Sequence, residues 1–214
     1  RPEDLERIVV PDDPRINGNR VAFVVTRTDL EKDRYHRCIW LLEDGDARPF
    51  TSGDADTQPR WSPDGSRLAF LRADHPGKPQ LAVMAADGGE ASVVTDFSLG
   101  VSELVWSPDG SRLAVVASEW LDPDIDNEER PRRPKLITSY PYRFDGRGWI
   151  HDRLRRIYLV DPDGRDHPTL LTGGDYDEAE PAWSPDGAKI AFVSDRHPRQ
   201  GFELGIDVWE VDVD

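Results

Sequence analysis

Trp61-Ser62-Pro63-Asp64-Gly65-Ser66-Arg67-Leu68-Ala69-Phe70 decides the fold, because the chain repeats it. The decapeptide returns as Trp106-Ser107-Pro108-Asp109-Gly110-Ser111-Arg112-Leu113-Ala114-Val115. A third copy reads Trp183-Ser184-Pro185-Asp186-Gly187-Ala188-Lys189-Ile190-Ala191-Phe192. A worn copy upstream, Ile16-Asn17-Gly18-Asn19-Arg20-Val21-Ala22-Phe23, keeps the glycine and the apolar-Ala-Phe ending. Proline presets φ for the first central turn position, Asp bonds local backbone N–H groups, and Gly accepts a positive φ. The Trp before the turn and the apolar residues after it favour strands. Each copy is therefore a hairpin.

Glycine to glycine, the copies lie 47, 45 and 77 residues apart. A repeat of about 40–50 residues built of short strands is the signature of a β-propeller, one repeat per blade. The expected fold is all-β, a partial propeller of four-stranded antiparallel blades with about four blades present. Blade one is placed at about 15–52, blade two at 57–96, blade three at 102–173 and an incomplete blade four at 179–214. Residues 1–14, charged and proline-flanked, read as a lead-in segment. A ring of seven such blades needs roughly 315 residues. The chain thus reads as part of a larger protein with two open blade faces, and unpaired edges invite association, homo-oligomers included.

The extra length of blade three falls in an insertion over 118–155. Its first half is charged and proline-rich, which marks a surface loop. Its second half, 136–150, holds Tyr140, Tyr142, Phe144 and Trp149, and reads as an ordered segment packed on a propeller face or lining its channel.

Composition narrows the partners. The net charge is −15, which disfavours nucleic acid and anionic membrane. Cys38 is the single cysteine, so there is no intrachain disulfide and no cysteine metal cluster. It lies in the apolar run 38–42, where a buried thiol is the ordinary outcome. No signal peptide or membrane span is visible, and a cytoplasmic location is the expectation.

The search for chemistry is largely negative. Gly100-Val101-Ser102-Glu103-Leu104 begins a nucleophile elbow and fails at its last position. Asp122, Asp124 and Asp126 open a calcium loop, but Asn127 and Arg133 stand where glycine and glutamate are needed. Gly146-Arg147-Gly148 lacks the third glycine of a dinucleotide loop, because His151 stands there. No metal, no cofactor and no catalytic residue is assigned. The stretch 140–151 remains, with Tyr142 and Trp149 interleaved with Arg143 and Arg147. In one reading either arginine holds a substrate carboxylate through a two-pronged bond. In the other, which is favoured here, the aromatics pack the insertion onto blade three and the arginines pair with local acids.

Together these features resemble the N-terminal propeller of serine peptidases of the prolyl oligopeptidase family, most closely the acylaminoacyl-peptidase/dipeptidyl-aminopeptidase branch. The resemblance rests on the decapeptides, Asp33-Arg34-Tyr35 before the Ile39-Trp40 strand, the segment 142–149, and Gly173-Gly174-Asp175-Tyr176-Asp177 before the last decapeptide. It covers nearly the whole chain, though Arg15-Ile16-Asn17-Gly18 departs from the usual Ser-Pro-Asp-Gly. It implies an exopeptidase or oligopeptidase acting on short peptides, including N-acylated ones. In that family a C-terminal α/β-hydrolase domain carries the Ser-Asp-His triad, and the propeller controls access to it. None of the triad maps onto this sequence. Two other functions compete: a TolB-like propeller serving as a protein-binding platform, and a propeller enzyme with its own channel site, for which no converging carboxylates are found.

Overall fold

The worn copy and the three decapeptides each open one antiparallel sheet. In the computed structural model, the residues described are 2–73, 78–125, 128–140, 142–145, 148–202 and 205–213. After a 3₁₀ turn at Pro2–Arg7, the first sheet runs in chain order through β1 (Val9–Asn17), β2 (Arg20–Asp29), β3 (Arg34–Glu43) and β4 (Asp46–Pro49). The second repeats the plan with β5 (Thr57–Trp61), β6 (Arg67–Arg72), β7 (Gln80–Ala85) and β8 (Ser92–Val93). In the third, β9 (Val101–Trp106) and β10 (Leu113–Trp120) are followed by a small separate hairpin, β11 (Arg143–Phe144) and β12 (Gly148–Trp149). The sheet then resumes with β13 (Arg153–Val160) and β14 (Thr169–Leu170). The fourth holds β15 (Glu178–Trp183), β16 (Lys189–Ser194) and β17 (Asp207–Asp212) among the described residues.

One expectation is corrected. Val9 to Pro14 are not a lead-in, because they already belong to β1. The prolines misled the reading, but β1 is an edge strand, and proline is tolerated where no ladder hydrogen bond is required. A bulge between Asp12 and Arg15 also interrupts the pairing there, with Asp13 at φ 48°. The same bulge recurs in β5 at Gln58, φ 53°, and in β15 at Glu180, φ 55°. The insertion is also shorter than 118–155, since β10 and β13 stay paired out to Trp120 and Arg153.

The three Ser-Pro-Asp-Gly turns are the same object. Ser62, Ser107 and Ser184 each donate a hydroxyl bond of 2.6 Å to the Asp two residues on. Each Asp accepts the N–H of the residue two further on, at 3.0, 3.0 and 3.1 Å. The same serine oxygens accept the N–H of Arg67, Arg112 and Lys189. Gly65, Gly110 and Gly187 stand at φ of 70°, 71° and 74°, a region open to glycine at little cost. These bonds favour the ionised carboxylate. They draw Asp64 and Asp109 down to about 2 and lower Asp186 as well.

The repeat also explains how sheets join. Each Trp indole N–H donates to a backbone carbonyl of the preceding sheet: Trp61 to Arg15 at 3.0 Å, Trp106 to Arg60 at 2.9 Å, Trp183 to Val105 at 3.4 Å. The acceptor is always the residue just before the previous Trp, or before Ile16 in the worn copy. That acceptor pairs across its own sheet with the Ala of the decapeptide ending: Ala22, Ala69 or Ala114. These alanines are fully buried, and each shares a core cluster with the next sheet's Trp. Only a residue this small leaves room for an indole laid across the strand. The repeat is thus a lock and a key, offset by one sheet.

The outer strands are short, and a threonine continues their bonding. Thr51, Thr95 and Thr172 are buried, and their hydroxyls accept the N–H of Ile39, Leu81 and Ile157. Buried acids sit near the same end. Asp56, fully buried, takes the Arg72 guanidinium at 2.9 and 2.8 Å and the Gly53 N–H at 3.2 Å. Glu178 is likewise buried and bonded to Arg196, Thr172 and the Ile157 N–H. A buried carboxylate without such partners would not remain charged.

Candidate binding site on the inserted hairpin

The segment between β10 and β13 leaves the third sheet through a stacked base. The Trp120 ring carries two guanidinium groups, that of Arg130 3.9 Å from its centroid and that of Arg153 at 4.5 Å. Leu121 N–H donates to Asp152 O at 2.9 Å, which closes the neck. Farther out, Tyr140 N–H donates to Gly201 O at 2.7 Å, and its ring meets Phe202 edge-on. The insertion is thereby tied to the loop that follows β16 in the fourth sheet.

At its tip, β11 and β12 pair Arg143 with Trp149. Three of the four residues singled out from the sequence meet here. Tyr142 lies 5.8 Å from the Trp149 ring, and the Arg143 guanidinium 5.6 Å from it. Arg147, the fourth, lies outside the described residues. The packing of the insertion leaves much of its aromatic surface open. Tyr140, Tyr142, Phe144 and Trp149 keep 77%, 40%, 50% and 36% of their surfaces exposed. No residue among those described in 136–150 is buried.

Two further residues complete the cluster: Lys135, which sequence reasoning passed over, and His151, the last residue of the stretch 140–151 but given no role there. Lys135 Nζ lies 5.2 Å from the centroid of the same indole, and the His151 ring meets it edge-on at 5.8 Å. The signal for Lys135 was faint, because it is 14 residues from Trp149 in an irregular, proline-flanked run. His151 stood at the end of the singled-out stretch and where a dinucleotide loop would need glycine.

Four nearby cations are matched with carboxylates, Arg133 with Glu129, Arg153 with Asp152, Arg155 with Asp177 and Arg156 with Glu119, while Arg130 bonds the Asp122 carbonyl. Lys135 and Arg143 differ. Among the described residues each has the Trp149 ring as its partner and no carboxylate within salt-bridge distance.

Elsewhere the polar clusters look structural. The serines of the decapeptides spend their hydroxyls within their own turns, as described above. His36 and His197 face Asp54 at 3.4 Å and Asp195 at 2.6 Å, with no serine hydroxyl bonded to either ring among the described residues. Cys38 is buried and accepts the Trp40 indole N–H at 3.2 Å; burial pushes its thiol up, away from the reactive thiolate. No group of three metal-ligating side chains occurs among the described residues. No helix among them is long and apolar enough to cross a membrane.

Comparison with known proteins supplies the wider context. The chain is 35% identical over 199 residues to the uncharacterized peptidase YuxL of Bacillus subtilis, which covers 89% of this chain and 30% of that protein. It superposes on the acylaminoacyl peptidase of Pyrococcus horikoshii with a TM-score of 0.73 at 21% identity, over 98% of this chain and 33% of the other. A puromycin-hydrolyzing peptidase of Mycobacterium tuberculosis gives 0.64 at 18% identity, over 98% and 30%. TolB of Acinetobacter baumannii gives 0.60 at 21% identity, over 96% and 41%. No protein-family profile matches the chain. The chain spans about a third of the length of these peptidases, and it has the all-β fold of that third.

Proposed function

We propose that this chain is the propeller portion of a prolyl oligopeptidase family peptidase and performs no bond cleavage itself. It instead gates short peptides, free or N-acylated, into a C-terminal α/β-hydrolase domain of the same polypeptide. A Ser-Asp-His triad in that domain would act on them. The observation that carries this reading is the 35% identity to a peptidase that spans 89% of this chain and only 30% of the relative. The local chemistry agrees, since the hairpin serines are consumed by their turns and the one thiol is buried and protonated.

In this account the four sheets are consecutive blades of one ring. Their tryptophan links all point the same way, so the fourth sheet offers the next position. Ala182 pairs with Ala191 as Arg60 pairs with Ala69, and Ala191 is half-exposed where its counterparts are buried. A following Trp-led sheet would complete it. The cytoplasm is the compartment proposed.

The test is the full-length polypeptide. It should carry a Gly-x-Ser-x-Gly elbow beyond Asp214, hydrolyse short peptide p-nitroanilides and lose that activity when the elbow serine becomes Ala. A polypeptide without the elbow and without hydrolysis refutes the reading. It would favour the second one, a platform for other proteins, which the likeness to TolB supports.

A further inference from the structure

Residues 130–156 hold nine Lys and Arg against two acids, in a chain whose net charge is −15. The insertion is a cationic island on an acidic surface. Four of its eight described cations are held by carboxylates, Arg130 is held by the Asp122 carbonyl and the Trp120 ring, and two of the others share a single partner. Lys135 and Arg143 converge on one indole, 5.2 and 5.6 Å from its centroid, with no anion between them among the described residues. Two like charges drawn to one ring repel each other, and a cation–π contact at a half-exposed ring offsets that only weakly. Acids outnumber bases in this protein by 42 to 27, so an intramolecular partner would have been easy to supply. The His151 ring closes one side of the indole, and its Nδ1 is buried without a hydrogen-bond partner. Tyr142, 40% exposed, lies 5.8 Å from the same ring at a shallow angle, and extends the apolar floor.

We propose that Lys135, Arg143 and Trp149 form a carboxylate-binding site, which takes the anionic group of a short peptide whose neighbouring apolar side chain rests on the Trp149–Tyr142 floor. The guanidinium supplies directed hydrogen bonds to two oxygens, the ammonium a point charge, and the rings a surface for the side chain. The surrounding negative field makes the site selective. An anion finds favourable potential on this island and repulsion over most of the remaining surface. The carboxylate is either the peptide C-terminus or an acidic side chain. This site rests on the peptidase reading for its biological ligand, but its test does not use turnover.

The experiment is a titration of the 15N-labelled 214-residue chain, following the indole N–H resonance that disappears in Trp149→Phe. Three probes are compared: acetyl-Ala-Phe, acetyl-Ala-Phe-amide and acetyl-Glu-Phe-amide. Acetyl-Ala-Phe is expected to move the Trp149 resonance at millimolar concentration, and its amide to bind about tenfold or more weakly, as loss of a charge-assisted pair requires. Binding of acetyl-Glu-Phe-amide comparable to acetyl-Ala-Phe assigns the site to any carboxylate, and weak binding assigns it to the peptide terminus. The double substitution Lys135→Gln/Arg143→Gln should weaken acetyl-Ala-Phe by about tenfold while the other indole resonances stay in place. Equal binding of the acid and its amide, a motionless Trp149 resonance with every probe, or unchanged affinity in the double variant would overturn the proposal. A full-length protein that cleaves peptides while acetyl-Ala-Phe leaves Trp149 unmoved would sink this site alone. Binding here with no peptidase activity in the full-length protein would sink only the peptidase reading.

Discussion

Replacing Trp106 by Phe probes the link on which the stacking of sheets depends. The indole is 7% exposed, shares a core cluster with Ala69 and donates to Arg60 O at 2.9 Å. Phe keeps an aromatic ring but deletes the N–H. The lost hydrogen bond is worth about 1 kcal/mol. The smaller ring buries roughly 40 Å² less apolar surface, about 1 kcal/mol at 25 cal/mol per Å². The sum, about 2 kcal/mol, corresponds to a fall in Tm of about 4–8 °C for a chain of this size. Urea unfolding followed by far-UV circular dichroism reads it directly. Ile16→Ala is the matched control, because Ile16 holds the same place in the first sheet but is 75% exposed, and should cost about 0.5 kcal/mol or less. Trp183→Phe should fall between them, since its bond to Val105 O is longer at 3.4 Å. If Ile16→Ala is as costly as Trp106→Phe, or if Trp106→Phe is neutral, the indole is not the inter-sheet link and the reasoning fails.

Three other perturbations test separate parts of the account. Asp56→Ala leaves the Arg72 guanidinium beside a vacated buried site and should destabilise by about 3 kcal/mol in the same denaturation assay, whereas a loss below about 1 kcal/mol would show that the pair is not built in. Asp109 titrates at about 2 when folded, below its ordinary 3.8, so the stability it contributes is fully present above about pH 4 and lost as pH falls from there toward about 2. Asp109→Asn should therefore flatten the fall in urea midpoint across that window and leave the slope above pH 5 alone. Gly65→Ala meets both a left-handed backbone and Asn17, whose Oδ1 lies 2.5 Å from where the Cβ would be. It should cost more than Gly18→Ala, at similar φ with open space around it, by about 1 kcal/mol or more in chemical denaturation.

The hairpins were legible because each turn is local chemistry, written within ten residues. Their mutual arrangement was not. The Trp61 acceptor is 46 residues away, and the Trp183 acceptor 78. Nothing in a single decapeptide says that its Ala serves the next copy's indole. β1 was missed because Pro11 and Pro14 argue against a strand, and the argument weakens only once β1 is known to be an edge with a bulge. The outer strand of the second sheet is short: past Ser92–Val93, the Val94 N–H still donates to Leu81 O at 2.9 Å, and the Thr95 hydroxyl then accepts the Leu81 N–H, a side-chain substitution that no strand pattern announces. At the hairpin, aromatic alternation with arginine pointed to Tyr142, Arg143 and Trp149. How far those rings stay exposed is a tertiary property that the pattern does not contain. Lys135 entered the cluster through an irregular segment with no periodicity to track.

The central claim is that these 214 residues shape access to chemistry housed elsewhere in the polypeptide. It is tested most directly by assaying the isolated chain and the full-length protein side by side, with acetylated and free peptide p-nitroanilides and a fluorophosphonate that labels active serines. The account predicts turnover and labelling in the full-length protein only. Turnover by the isolated chain, or a full-length protein that neither cleaves nor labels, would contradict it.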